Sequence, residues 1–149
     1  MVKDISNRQY LLIDVTVFLL VLLWIYTATS KLLAFDSYRS QMYDQPISHG
    51  LASFLIWSLP PIEILTAMLL IIPRFKIWGL LSSIILMTVF SVYVALITFG
   101  VFERIPCSCG GLIQSMSWTG HLLFNLFFLL LSFLTIVFHN RERRLIGTV

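Results

Sequence analysis

Residues 50–99 read GLASFLIWSLPPIEILTAMLLIIPRFKIWGLLSSIILMTVFSVYVALITF. Two apolar runs fill this stretch, one from about Gly50 to Ile72 and one from about Ile77 to Phe99. Each reaches the roughly 20 residues that a helix needs to cross a bilayer core. Only Pro73-Arg74-Phe75-Lys76 separates them, so the two helices must be antiparallel neighbours. Two further runs flank them, from about Tyr10 to Leu33 and from about Trp118 to Phe138. Composition agrees. Of 149 residues, 58% are hydrophobic and 11% charged, against about 25% charged in a soluble domain. The sequence therefore predicts an all-α protein, an integral-membrane four-helix bundle that forms one domain across residues 1–149.

The net charge is +3, and its distribution orients the bundle. With four spans, both termini share a side with the turn between the second and third helices. That side carries Lys3, Arg8, Arg74, Lys76, Arg141, Arg143 and Arg144, and the other carries Lys31, Arg39 and Arg104. Seven against three predicts cytoplasmic termini by the positive-inside rule. In a bacterial cell this is a multi-pass protein of the inner (cytoplasmic) membrane, in contact with lipid. Lys3 and Arg8 precede an apolar run, as in a signal peptide, but Lys31 and Leu32 follow it where a small-residue cleavage site would stand. The first run is read as a retained helix. The basic Arg141 to Arg144 tail reads as a stop-transfer flank near anionic headgroups, not as a nucleic-acid site.

Between the first two spans, Phe35, Tyr38, Met42 and Tyr43 alternate with Asp36, Arg39 and Asp44, which predicts a short interfacial helix ended by Gln45-Pro46. The last loop, about Gly100 to Ser117, holds Cys107-Ser108-Cys109-Gly110-Gly111 and with it both cysteines of the chain. The charge bias places it in the periplasm, where disulfides form and persist. Alpha carbons two residues apart fall within the ~4.4–6.8 Å that a disulfide spans. The ring is tight, and strain makes a bridge easier to reduce. So short a loop restricts little chain entropy, so stability is a poor reason for it. These points favour an exchanging dithiol. A soft-metal site stays open, with His49 and His121 as outer ligands but without a metal-binding spacing, and so does an inert pair.

Within the spans, the polar residues stand out. On the fourth helix His121, Asn125, Ser132, Thr135 and His139 fall within an arc of about 80°, which should face the bundle interior. His121, near the cysteine loop, has the chemistry of a base or proton shuttle. The plain alternative is that the stripe joins helices by hydrogen bonds. Glu63 lies about 20 Å into the second span, just after Pro60-Pro61, which should break the helical ladder and kink it. A carboxyl at that depth must be protonated, paired or facing water, and it is a functional candidate by default. Asp14 lies near the inner end of the first span. Thr27 and Lys31 share a face near its outer end. Lys31 is expected to snorkel to headgroups, or to lower a thiol pKa where the loop folds over it. Trp78 and Trp118 fit interface belts, and Trp24 and Trp57 are expected to be more buried.

The chain resembles a known family. Four helices, Lys31-Leu32-Leu33 after the first, and Glu63 followed by Thr66-Ala67-Met68-Leu69-Leu70 look like the DoxX-like membrane proteins. Within that group, Cys107-Ser108-Cys109-Gly110-Gly111 followed by Asn125 looks like the MauE branch, although Gly110 stands where that branch often has an aromatic residue. The resemblance implies a role in maturing methylamine dehydrogenase, whose small subunit is rich in disulfides. Relatives in the DoxX-like group include a subunit of a thiosulfate:quinone oxidoreductase. The resemblance therefore implies redox work at the outer face, coupled to quinone.

Residues and resemblance together lead to one expectation. The protein exchanges disulfides with a periplasmic cysteine-containing or thioredoxin-like protein through Cys107 and Cys109, as a thiol–disulfide oxidoreductase. Glu63 and His121 handle protons, and Asn125 with Glu63 lines a quinone pocket. No resident metal is expected. A non-catalytic accessory subunit of a membrane complex and a small metal-handling or transport protein are the alternatives.

Overall fold

The computed structural model describes residues 2–101 and 117–146, with side chains over 10–101 and 117–139. Among the described residues five α-helices follow one another: α1 (Val2–Leu33), α2 (Phe35–Tyr43), α3 (His49–Ile71), α4 (Lys76–Thr98) and α5 (Trp118–Ile146). All but α2 contain a span long and apolar enough to cross a membrane. Only 17–39% of each span is buried in the protein, which leaves most of its apolar surface for lipid. The protein is a multi-pass membrane bundle, as the hydropathy predicts.

The helices close into a ring in which α1 packs on α3, α3 on α4, α4 on α5 and α5 on α1. One turn of 3₁₀ helix, Pro73–Phe75, is the whole connection between α3 and α4. Gly79 lets those two helices touch. A Cβ there would meet the Leu70 backbone nitrogen at 2.7 Å and the Leu69 carbonyl carbon at 2.9 Å. Ile13, Val17, Leu20 and Trp24 of α1, Ala67 and Leu70 of α3, and Leu80 and Met87 of α4 form the main core. Trp24 crosses the diagonal, its indole N–H donating to Ser83 Oγ of α4 at 2.8 Å. The expectation that Trp24 is buried holds, at 1% exposed, but Trp57 is corrected to 72% exposed. Trp57 faces outward with its ring against Phe35.

The short helix α2 ends at Tyr43, two residues before Gln45-Pro46. It folds back along the start of α3. Tyr38 and Met42 pack on Ala52, Ile56 and Leu59, and the Tyr43 and Ser53 hydroxyls share a hydrogen bond at 3.0 Å. The first two turns of α3 are therefore flanked by α2, beyond the end of α1. Ser48 caps α3, accepting from the Leu51 amide at 3.3 Å. Pro60 and Pro61 do not end the helix, which continues through both to Ile71. Within a bundle, neighbouring helices and hydroxyl side chains make such prolines tolerable.

The two helix ends that flank the cysteine segment are well defined. Gly100 has φ +68°. Its amide donates to Ile97 and that of Val101 to Leu96, both at 3.0 Å, the left-handed glycine stop of an α-helix. At the other end Ser117 Oγ accepts from the Gly120 amide at 3.2 Å, an N-cap for α5.

Candidate functional site

The core face of α1 runs Ile13, Val17, Leu20, Trp24 and Ala28 at intervals of three and four. The next position in that series is Lys31, in the last turn of the helix. On α3 the buried series Ala52, Ile56, Leu59, Thr66 and Leu70 includes Glu63. Where α1 and α3 pack together, Lys31 Nζ donates to Glu63 Oε1 at 2.7 Å. Their side chains are 12% and 1% exposed. Lys31 Nζ also donates to the Thr27 carbonyl at 3.3 Å, and the Thr27 hydroxyl donates to the Trp24 carbonyl at 3.1 Å.

This corrects the expectation for Lys31. Its ammonium turns inward, away from the headgroups. A helical Cα–Cβ bond tilts toward the N-terminus, which for a residue in the last turn points back into the bundle. It also corrects the depth of Glu63. The carboxylate is level with the final turn of α1, because the first turns of α3 run alongside α2. Sequence reading missed Lys31 as a partner, and the signal was its place in the three-and-four series of α1.

On α5, Asn125, Ser132 and Thr135 are buried, so the polar stripe faces the interior as expected. Ser132 and Thr135 donate to the carbonyls of Phe128 and Leu131 in their own helix, both at 2.8 Å. These two hydroxyls are structural. Asn125 and His121 are different. Asn125 Nδ2 and His121 Nδ1 are buried with no hydrogen-bond partner among the described residues, as are Glu63 Oε2 and Ser91 Oγ. His121 stacks on Trp118 with ring centroids 6.4 Å apart. Ser91 stands about two turns before the end of α4, and Asn125 about two turns after the start of α5. These two antiparallel neighbours thus carry their unpartnered groups at similar depth.

Cys107 and Cys109 lie outside the described residues. Cys107 is nine residues past Thr98 and Cys109 nine before Trp118, in the segment that joins α4 to α5. His49 is exposed and packs on Tyr43. Among the described residues no three His, Cys, Asp or Glu side chains gather as metal ligands. Asp14 is exposed and pairs with Lys76 at 3.3 Å at the opposite end of the bundle.

A bundle of four spans with a buried lysine–glutamate pair and a cysteine pair between its last two helices matches one family model. The model of the methylamine utilisation protein MauE aligns with residues 8–138. The chain belongs to the MauE family. The match takes in all four spans and both cysteines. No curated protein and no solved structure matches the chain.

Proposed function

We propose that this MauE-family protein is a thiol–disulfide oxidoreductase of the bacterial inner membrane. Its termini are cytoplasmic and its cysteine segment periplasmic. A thiolate of a periplasmic cysteine-containing or thioredoxin-like partner attacks the Cys107–Cys109 disulfide, giving a mixed disulfide and one free thiol. The partner's second thiol then displaces the protein. The partner leaves oxidised, and Cys107 and Cys109 are left as two thiols. Two electrons and two protons pass on to a quinone, which becomes a quinol, or to a second redox protein, and the disulfide re-forms.

One observation carries this reading. The only cysteine pair of the chain lies in the segment between α4 and α5, in a protein where Ser58, Glu63, Ser91, His121 and Asn125 each carry a buried polar atom without a partner among the described residues. Buried polar groups are nearly always hydrogen-bonded, so such a set points to a ligand or to reaction chemistry. A purely structural bundle has no need of it. Asn125 Nδ2 is a donor suited to a quinone carbonyl, and Glu63 and His121 are groups that exchange protons.

Thiol trapping in intact cells tests the proposal. A membrane-impermeant maleimide should label Cys107 and Cys109 only after reduction, and Cys109→Ser or Cys107→Ser should trap a mixed disulfide with a periplasmic partner. Labelling without prior reduction would show a resting dithiol and shift the reading to metal handling. Labelling only after lysis would overturn the orientation and the mechanism with it. Wild-type activity in both serine variants would leave an accessory subunit.

A further inference from the structure

We propose that the cleft between α1 and the α3–α4 turn binds one phospholipid whose headgroup carries a primary ammonium and a phosphate, as phosphatidylethanolamine does. Asp14 takes the ammonium, Lys76 takes the phosphate, and an acyl chain lies along the apolar wall of the cleft. The site is at the opposite end of the bundle from Lys31 and Glu63, and it stands independently of the redox reading.

Helix lengths create the cleft. α3 ends at Ile71 and the chain enters α4 after one 3₁₀ turn, whereas α1 runs on from Asp14 back to Val2. The space left beside α1 has a volume of about 240 Å³. Val17 and Leu70, both buried, form its floor, and the exposed Phe18 and Ile71 form its lips. It is smaller than the ~300–1,000 Å³ of a pocket that encloses a drug-sized ligand, and it is open at the side. A long chain lying partly in the cleft and partly among its lipid neighbours fits that shape.

The polar end of the cleft has capacity to spare. Lys76 Nζ donates to Asp14 Oδ1 at 3.3 Å, and neither side chain makes another hydrogen bond among the described residues. An ammonium has three donors and a carboxylate about four acceptor sites. The Asp14 side chain is 71% exposed and that of Lys76 21%, so the carboxylate is open to a ligand while the ammonium is held against the cleft. A pair this open adds little to stability. Lys76 is also the first residue of α4, where the helix dipole favours an anion over a cation. No acidic residue stands in that first turn, and Phe75 at the N-cap offers its amides no side-chain acceptor. A phosphate at Lys76 meets both conditions. Depth agrees as well. Tyr10, one turn before Asp14, and Trp78, two residues after Lys76, are both exposed, and such rings mark the headgroup level.

Charge selects the headgroup. An anionic phospholipid would bring a phosphate to Asp14 with no cation of its own. A choline headgroup has the cation but no N–H to donate. An ammonium with a phosphate satisfies Asp14 and Lys76 together.

The test uses the full-length protein in detergent, incubated with dioleoyl phosphatidylethanolamine, phosphatidylglycerol or phosphatidylcholine, and native mass spectrometry counts the lipid retained after dilution. One phosphatidylethanolamine should be retained about tenfold over either of the others, the factor that one charge-assisted hydrogen bond supplies. Asp14→Asn should bring it level with phosphatidylcholine, and Asp14→Lys should turn the preference toward phosphatidylglycerol. Lys76→Gln should weaken retention of all three, and so should Ile71→Trp, whose ring fills the cleft. Asp14 and Ile71 are exposed, so their variants should fold and decide the matter where Lys76→Gln does not. Equal retention of the three lipids by the wild type would mean annular lipid only and would overturn the site. A wild-type preference for phosphatidylglycerol would make Arg74 and Lys76 a plain cationic patch and overturn it too, as would an unchanged preference in the Asp14 and Ile71 variants.

Discussion

The Lys31 ammonium and the Glu63 carboxylate meet at 2.7 Å inside the bundle, tying the last turn of α1 to the middle of α3. Each charge is tolerable there because of the other. Removing one partner of a buried pair costs about 3–5 kcal/mol, whereas replacing both with apolar groups is often neutral. Lys31→Met and Glu63→Gln should therefore each lower stability by about that amount, and the double variant should recover most of the loss. Denaturation of the purified protein in mixed micelles checks this. Additive losses in the double variant would show that the two residues are not coupled.

The spans could be read from sequence because hydropathy over some 20 residues is a bulk property that no tertiary detail reverses. The ion pair could not be read in the same way. Depth counted along α3 from His49 places Glu63 far from the end of α1. The fold removes that distance by laying α2 against the first two turns of α3, through Tyr38, Met42 and the Tyr43–Ser53 hydrogen bond. The inward face of α5 was legible because a stripe of polar residues at helical spacing must avoid lipid. Trp57 misled the reading, since in a membrane a large apolar ring is as well placed against lipid as in the core.

Gly79 is a point of close approach in the α3–α4 hairpin. An added Cβ would press on the Leu70 nitrogen and the Leu69 carbonyl carbon, both below 3.0 Å, and on Leu70 Cγ. Two of those three atoms are backbone, so relief requires the helices to separate. Gly79→Ala should lower stability by about 1–3 kcal/mol, the usual range for overpacking, and a larger side chain should prevent folding. Wild-type thermal stability in Gly79→Ala would show that α3 and α4 do not approach this closely.

Trp24 and Ser83 make a buried hydrogen bond between the diagonal helices α1 and α4. Both residues are buried, with no water at hand to replace a lost partner. Ser83→Ala leaves the indole N–H unsatisfied and should cost about 1–3 kcal/mol. Ser83→Thr keeps a hydroxyl but adds a methyl to a packed site, so it should fall between the two. Denaturation curves of the three proteins give the order directly. Equal stability of Ser83→Ala and wild type would mean that the indole finds another acceptor.

The proposed orientation rests on charge alone and makes a clean prediction. Seven of the ten Lys and Arg residues fall on the side assigned to the cytoplasm. A fluorescent protein that matures only in the cytoplasm should therefore glow when fused after Val149, and an enzyme active only in the periplasm should be silent there. Inserted between Val101 and Trp118, the two reporters should exchange behaviour. Replacing Arg141, Arg143 and Arg144 by neutral residues cuts the bias from seven against three to four against three, because only Lys3, Arg8, Arg74 and Lys76 remain. At that ratio a mixed population of both orientations is expected, since charge bias near the span ends is what fixes the direction of insertion. A reversed signal from the unaltered protein would put Cys107 and Cys109 in the reducing cytoplasm, where a persistent disulfide is not expected.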